Sequence, residues 1–230
     1  MSKIIGILGG MGPLASVDLQ EKIILNTKVA SDREHLHVIT DCNTNIPDRT
    51  RAILEGGDSA LPEMAKSAKR LAAAGAQVLI IACNTAHYYL EDLEKQVDVP
   101  FLSIIDAALN EVERQGAKKI SLLATKGTYK TALYQNKCEK RSILCIEPEQ
   151  EDKDLLMEVI YDVKAGNIHE HLDRMKGFLD NEIKKGAELF ILACTELPIY
   201  FSFNSINAPV VDPTLALALE AIAYAGAEAL

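Results

Sequence analysis

The chain has 230 residues, 48% of them hydrophobic, and a formal net charge of −9. This length allows one large domain or two smaller ones with a sizeable core, while the acidic balance argues against a nucleic-acid-binding surface. A run of about 18 apolar residues is lacking, so we predict no membrane-spanning helix. The N-terminus is typical of a strand before a glycine turn, not of a signal peptide. Five cysteines, mostly within apolar runs, favour reduced thiols in a cytoplasmic protein.

Short apolar runs alternate with amphipathic segments along the chain. Their near-continuous apolar composition is typical of parallel strands that helices cover on both faces. The predicted strands are Lys3–Leu8, Leu36–Cys42, Gln77–Ala82, Phe101–Ile104, Lys119–Ala124, Ile143–Ile146, Leu189–Ala193 and Val210–Val211. Apolar spacings of three and four predict helices, for example before Gly75, which is expected to end one. The predicted helices are Ala60–Ala74, Leu155–Ala165, Ile168–Lys185 and Pro213–Ala229.

The two halves of the chain repeat, and a single offset in residue number relates several matches. The matching pairs are Lys3–Gly12 with Lys118–Gly127, Cys83 with Cys194, Pro100 with Pro209, and Asp106 with Asp212. We predict that each of these aspartates ends the strand that follows the proline. Four matches in the same order indicate a duplication. The sequence therefore predicts an α/β protein with two pseudo-symmetric parallel-sheet domains, residues 1–113 and 114–230.

Each half contains an apolar run that ends in Ala-Cys, Val78–Cys83 in the first half and Leu189–Cys194 in the second. Ligands of open parallel sheets bind beyond the carboxyl ends of the strands. A helix that begins after each cysteine would lower the thiol pKa from about 8.5. The main-chain amides of residues 84–86 and 195–196 would then bind a carboxylate. Either cysteine alone would favour a structural role, but the symmetric pair favours two facing thiols, which is the chemistry of a cofactor-independent racemase.

Other polar features lie near the same predicted sheet edge. The spacing in Gly6–Pro13 is not G-x-G-x-x-G, so a tight turn close to a small ligand is favoured over nucleotide binding. Arg49 or Arg51, after the second strand, could hold a carboxylate through its planar guanidinium. His87 follows Cys83 by four residues, but no third ligand is evident, so we predict no metal site. The cysteines without a symmetric counterpart are interpreted as structural: Cys42, Cys138 and Cys145.

Four motifs resemble those of the aspartate/glutamate racemase family, in particular its aspartate racemase branch. They are Gly9–Pro13, Ile46–Thr50, Ala82–His87 and Cys194–Pro198, and together they span nearly the whole chain. The resemblance implies a flavodoxin-like two-domain fold, an active site between the domains and a homodimer. It also implies that a C-terminal helix of about residues 214–230 packs on the first domain.

The resemblance further implies racemisation without pyridoxal phosphate or metal, by Cys83 and Cys194, with Arg49 and Lys164 holding the side-chain carboxylate of aspartate. The related glutamate racemases of cell-wall synthesis carry histidine where this chain has Glu196. They also carry Asp-Ser after the first strand, where this chain has Gly9–Met11. Both departures favour aspartate over glutamate.

We therefore predict an enzyme that interconverts L- and D-aspartate without a cofactor, with an acidic amino acid as substrate and neither nucleic acid nor membrane as partner. The predicted substrate-binding residues are Met11, Arg49, Asn84, Thr85, Ala86, Thr125, Lys164, Thr195 and Glu196. One alternative is a racemase or isomerase of a related substrate, such as glutamate, maleate or a hydantoin. Another is a non-catalytic sensor of acidic ligands, although the presence of both cysteines argues against it.

Overall fold

The computed structural model describes residues 2–230 and contains two parallel sheets of four strands each. The strands are β1 (Ile5–Gly9), β2 (Val38–Cys42), β3 (Val78–Ile81), β4 (Phe101–Leu102), β5 (Lys119–Ala124), β6 (Leu144–Ile146), β7 (Leu189–Ala193) and β8 (Val210–Val211). Their order is β2-β1-β3-β4 in one sheet and β6-β5-β7-β8 in the other. The same order recurs in both halves, which confirms the predicted pseudo-symmetric α/β fold.

Helices connect the strands and cover the sheets. They are α1 (Pro13–Asn26), α2 (Arg49–Glu55), α3 (Leu61–Ala73), α4 (Leu90–Glu94), α5 (Ile104–Arg114), α6 (Lys126–Thr131), α7 (Leu133–Lys140), α8 (Gln150–Ala165), α9 (Leu172–Lys184), α10 (Glu196–Phe203) and α11 (Pro213–Ala225). Two short 3₁₀ helices lie at Asp32–Glu34 and Thr85–Tyr89. Among the described residues, no helix is both long and apolar enough to cross a membrane.

All eight predicted strands are present, but the fourth ends earlier than expected. It stops at Leu102 because Ser103 caps α5, its hydroxyl accepting a hydrogen bond from the N–H of Asp106 at 3.2 Å. Asp106 thus lies in the first turn of α5, and its predicted match with Asp212 is wrong. Asp212 caps α11, so its structural equivalent in the first half is Ser103.

Three predicted helix boundaries also differ from the structure. Helix α8 begins at Gln150, ahead of the predicted Leu155. Its acidic first turn is favourable at a helix N-terminus, but it contains no apolar residues and so gives no periodic signal in the sequence. Helix α9 begins only at Leu172, since His171 has a left-handed φ of 64°. Helix α11 ends at Ala225, where Gly226 adopts a φ of 87°.

One hydrophobic core joins the two sheets. A single cluster of buried residues includes side chains from β1 and β3 of the first sheet and from β5 and β7 of the second. Helix α11, from the second half of the chain, packs against α1 and α5 of the first half. The C-terminal residues continue this contact, because the N–H of Leu230 donates to the carbonyl of Asn26 at 3.0 Å.

Tight packing brings the loops after the strands together. A Cβ on Gly10, which has a φ of 89°, would lie 2.4 Å from the main chain of Asn43, so glycine is required where the turn after β1 meets the loop after β2. A Cβ on Gly127 would lie 2.9 Å from the hydroxyl of Thr50. Helix α6 of the second half therefore approaches α2 of the first half closely, and this contact closes the space between the sheets.

Candidate active site

Cys83 and Cys194 line one small cavity between the two halves, which we call the inner cavity. Its volume is about 10 Å³. It is lined by Met11, Asp48, Arg49, Thr50, Cys83, Asn84, Thr85, Thr125, Lys164, Cys194 and Glu196. A larger outer cavity of about 620 Å³ adjoins it and shares five of these residues. The shared residues are Met11, Asp48, Arg49, Lys164 and Glu196.

Each cysteine lies at the carboxyl end of a central strand, but the main chain that follows differs between the two. Cys83 follows β3 by two residues, and Cys194 follows β7 directly. Helix α10 begins at Glu196, as expected. After Cys83, however, the chain forms a 3₁₀ helix at Thr85–Tyr89 and becomes α-helical only at Leu90. The two halves therefore offer unequal main-chain environments to their cysteines.

Glu196 contacts Cys194 directly. The thiol donates a hydrogen bond to Oε2 of Glu196 at 3.0 Å, and Thr195 donates to the same oxygen at 3.3 Å. Burial, together with the negative charge of Glu196, raises the pKa of Cys194 well above its usual value, so the predicted lowering by the helix that follows is wrong for this cysteine. The position two residues after Cys83 is occupied by the neutral Thr85. This arrangement favours a protonated Cys194 in the free protein.

Arg49 is buried at the start of α2, where main-chain carbonyls hold its guanidinium. Nη1 donates to the carbonyls of Pro47 at 2.9 Å and Ile46 at 3.4 Å, and Nη2 donates to that of Met11 at 2.8 Å. Its Nε is buried and has no hydrogen-bond partner in the described part of the chain. Arg51 is exposed and pairs with Glu55. Of the two arginines considered from the sequence, the structure brings only Arg49 to the cavity.

Two further groups make the inner cavity suitable for an anion. The side-chain Nδ2 of Asn84 is buried and lacks a partner among residues 2–230. Lys164 lies in the last turn of α8 and lines both cavities. Partial desolvation acts to lower the pKa of Lys164, but nearby negative charge, chiefly that of Glu196, outweighs it and raises that pKa. A carboxylate in the cavity would meet two cations and one unpaired amide, together with the carboxylates of Asp48 and Glu196, which also line the cavity.

Three threonine hydroxyls form a ring across the two halves. Oγ1 of Thr85 lies 2.9 Å from Oγ1 of Thr125 and 2.9 Å from that of Thr128, and the last two lie 3.1 Å apart. Thr85 and Thr125 line the inner cavity, whereas Thr128 lies behind them. The hydroxyls of Thr85 and Thr125 therefore hold each other in the wall of the cavity that Cys83 also lines.

Two predicted site residues do not line either of these cavities. Ala86 is fully buried and packs into the hydrophobic cluster behind Cys83, because the 3₁₀ helix turns its side chain inward. Thr195 is buried and contacts Glu196. Sequence reasoning did not select Asp48 and Thr50, although both flank Arg49 in its motif. It also gave no signal for Tyr134, because that residue lies on α7 of the other half.

His87 is engaged at both ring nitrogens. Nδ1 lies 2.9 Å from the carbonyl oxygen of Cys83, and Nε2 accepts a hydrogen bond from the N–H of Ile104 at 3.1 Å. Burial lowers the pKa of His87 to about 4. The ring is therefore neutral, with its proton on Nδ1. Neither nitrogen is free for a metal ion, so the metal pair with Cys83 considered from the sequence is not formed.

Comparison with known proteins places this geometry in one family. The Asp/Glu/Hydantoin racemase family matches residues 8–221. The broad specificity amino-acid racemase RacX of Bacillus subtilis (strain 168) is 26% identical over 228 residues, covering 94% of this chain and 95% of the relative.

Two solved structures extend the likeness. The aspartate racemase of Picrophilus torridus superposes with a TM-score of 0.89 at 31% identity, covering 99% of this chain and 96% of that one. An aspartate racemase homologue from Pyrococcus horikoshii OT3 gives a TM-score of 0.78 at 27% identity, covering 98% and 99%. The family match covers most of the chain and agrees with the two-domain fold, and the chain therefore belongs to the Asp/Glu/Hydantoin racemase family and is an isomerase of the racemase type.

Proposed function

We propose that the protein interconverts L- and D-aspartate by a two-base reaction that uses Cys83 and Cys194. The observation that carries this proposal is the inner cavity, where two cysteines from equivalent positions meet unpaired donors that suit an anion. The Picrophilus torridus protein, described as an aspartate racemase, supports this choice of substrate.

In the proposed reaction, one cysteine acts as a thiolate base and the other as a thiol acid. The thiolate removes the α-hydrogen of aspartate as a proton, and the electron pair of the C–H bond remains on Cα. The second thiol then gives its proton to the opposite face of Cα and becomes a thiolate. The two cysteines exchange protonation states, so the opposite enantiomer is the substrate for the return reaction.

The remaining residues of the cavity would bind and stabilise the substrate. Asn84 and Thr85 adjoin Cys83, so their donors suit the α-carboxylate, on which negative charge grows as the proton leaves. Arg49 and Lys164 lie where the inner and outer cavities meet and would hold the side-chain carboxylate. These two cations also offset the repulsion that the net charge of −9 exerts on an anionic substrate.

Substrate binding requires the inner cavity to widen. A cavity of about 10 Å³ has room for about one water molecule. The outer cavity is large enough for an amino acid and shares the walls of Arg49 and Lys164. We therefore propose that aspartate enters through the outer cavity and separates the loops around the cysteines as it reaches them.

The direct test is incubation of the reduced protein with L-aspartate in D₂O without added cofactor, followed by chiral chromatography and mass spectrometry. D-Aspartate with deuterium at Cα is the expected product. Parallel incubations with glutamate, maleate and a hydantoin test the alternative substrates. Folded, reduced protein that neither forms D-aspartate nor exchanges the α-hydrogen would contradict the proposal.

The roles of the thiols are tested by Cys83→Ser and Cys194→Ser singly. Each substitution should lower racemisation by roughly 10²–10⁴-fold, the usual contribution of a general acid or base. Cys42→Ser is the matched control, because Cys42 is exposed and lies outside the cavity. Near-normal turnover by either cavity variant would reject the two-thiol reaction.

A further inference from the structure

Tyr134 contacts the inner cavity indirectly, through a residue of the other half. It lies on α7 and is fully buried. Its hydroxyl donates a hydrogen bond of 2.6 Å to Oδ1 of Asn84, the residue that follows Cys83. Asn84 itself lines the inner cavity, whereas Tyr134 does not. The second half of the chain thus supports a polar group that the first half presents to the site.

The phenol determines which end of the Asn84 amide faces Tyr134 and which end is left without a partner. Asn84 is the hydrogen-bond partner found for the Tyr134 hydroxyl among residues 2–230. Burial raises the pKa of Tyr134 well above its usual value, so the hydroxyl keeps its hydrogen at neutral pH. If the amide were reversed, its NH₂ would face the phenol, and the buried phenol hydrogen would lose its acceptor. Such a loss is costly in a buried position, so the amide oxygen stays on the Tyr134 side.

The other end of the amide is left free as a consequence. Nδ2 of Asn84 is buried and has no partner in the described part of the chain. With Oδ1 held by Tyr134, this donor is available to an anion in the inner cavity. A reversed amide would instead present an oxygen, which repels a carboxylate.

We propose that Tyr134 is a positioning residue that fixes the Asn84 amide so that its NH₂ group donates to the carboxylate of the bound substrate. This inference rests on the proposed racemase function. It also makes the site dependent on contact between the two halves, because Tyr134 lies after a strand of the second sheet and Asn84 lies after a strand of the first.

The test is a double-mutant cycle with Tyr134→Phe, Asn84→Ala and the double variant, scored by kcat/KM for aspartate. Tyr134→Phe alone should lower kcat/KM by about tenfold or more, the usual effect of losing a hydrogen bond to a charged group. In the Asn84→Ala background it should cause little further loss, since the amide that it orients is absent. Equal losses in both backgrounds would show that Tyr134 acts only through general stability and would overturn the inference.

Tyr129→Phe is the matched control. Tyr129 is also a buried tyrosine of the second half, but its hydroxyl donates to the carbonyl of Leu122 at 2.6 Å and does not contact Asn84. Tyr129→Phe should therefore lower kcat/KM by the same factor with and without Asn84→Ala. A cycle for Tyr129 that resembles the cycle for Tyr134 would also overturn the inference.

A second measurement does not depend on activity. The ¹³Cγ resonance of the Asn84 side chain, identified by its loss in Asn84→Ala, should shift in Tyr134→Phe and stay in place in Tyr129→Phe. An unmoved resonance in Tyr134→Phe would overturn the positioning role whatever the kinetics. If the wild-type protein racemises none of the substrates while the resonance shifts, the proposed function fails and the orientation of the amide by Tyr134 stands.

Discussion

Cys83 and Cys194 occupy equivalent places in the two halves, but their neighbours differ. Glu196 accepts a hydrogen bond from the thiol of Cys194, whereas the corresponding position after Cys83 is occupied by Thr85. A carboxylate next to a thiol disfavours the thiolate. The free protein is therefore expected to hold a proton on Cys194, and the two cysteines differ both in their side-chain neighbours and in the main chain that follows them.

The substitution Glu196→Gln should make Cys194 easier to ionise. It removes the negative charge that raises the pKa of Cys194, so the pKa should fall and the thiolate should form at lower pH. Alkylation by iodoacetamide, followed across pH by peptide mass spectrometry, measures this shift. The exposed Cys42 serves as an internal control, because its alkylation profile should not move. An unchanged profile for Cys194 would contradict the assigned effect of Glu196.

Arg49→Ala should weaken aspartate binding more than binding of a monocarboxylate such as alanine. Loss of a charged donor to the side-chain carboxylate is expected to raise KM for aspartate by roughly 10–100-fold. The comparison with alanine separates this effect from any loss of fold stability, since Arg49 also holds three carbonyl oxygens. Arg51→Ala, which removes an exposed arginine of the same helix, is the control. Equal losses for aspartate and alanine would reject the side-chain anchor.

At the scale of elements, His87 links the loop of Cys83 to the start of α5. Its ring donates from Nδ1 to the carbonyl of Cys83 and accepts at Nε2 from the N–H of Ile104, and the second hydrogen bond requires the neutral form. The ring therefore fixes the position of the strand end that carries Cys83 against a helix in the same half. Protonation of Nε2 would break the hydrogen bond from Ile104, so this contact depends on pH.

His87 is expected to reduce stability as the pH falls from 6.5 to 4. Its pKa is 6.5 when exposed and about 4 when folded, so the unfolded chain binds more protons in this range. The contribution of His87 to the free energy of unfolding is complete above pH 6.5, and about 3 kcal/mol of that free energy is lost by pH 4. Urea unfolding should show that the stability advantage of wild type over His87→Gln shrinks by that amount on acidification. His169→Gln, at an exposed ring, should leave the pH dependence unchanged, and a constant advantage would contradict this role of His87.

At the scale of the molecule, the two sheets share one hydrophobic core. Strands from both sheets contribute to the same cluster, and α11 crosses from the second half of the chain to pack on α1 and α5. Packing of this kind couples the stability of the halves.

The shared core predicts that Leu217→Ala destabilises both halves together. Leu217 of α11 is fully buried in the cluster, and its truncation should cost about 2–5 kcal/mol. Leu219→Ala, on the same helix but only partly buried, should cost less. Hydrogen exchange measured by mass spectrometry across a denaturant series should give coincident transitions for peptides of both halves. Separate transitions would show that the halves unfold independently.

Much of the fold was accessible from the sequence because it follows local rules. The apolar runs that form β1, β3, β5 and β7 are buried on both faces, so they are recognisable without knowledge of their partners. Helix ends were less accessible. The polar first turn of α8 and the left-handed His171 before α9 leave no apolar signal.

The site divides in a similar way. The repeated Ala-Cys segments and the loop of Arg49 can be recognised in the sequence, because each follows a predicted strand. The core position of the Ala86 side chain could not be predicted, because the 3₁₀ helix that turns it inward is not evident in the sequence. The sequence also left open the choice between Arg49 and Arg51, which depends on which side of α2 faces the other half.

The strands, the duplication and the pair of cysteines can be recognised without a structure, since each depends on residue type and local spacing. The packing of the two halves, by contrast, is what brings Tyr134 to Asn84, makes Glu196 the acceptor of a hydrogen bond from the Cys194 thiol and leaves Nε of Arg49 without a partner in the described part of the chain. These contacts join residues whose environments come from separate loops and helices. Their geometry depends on how the two halves pack, and this packing cannot be read from any local pattern of residues.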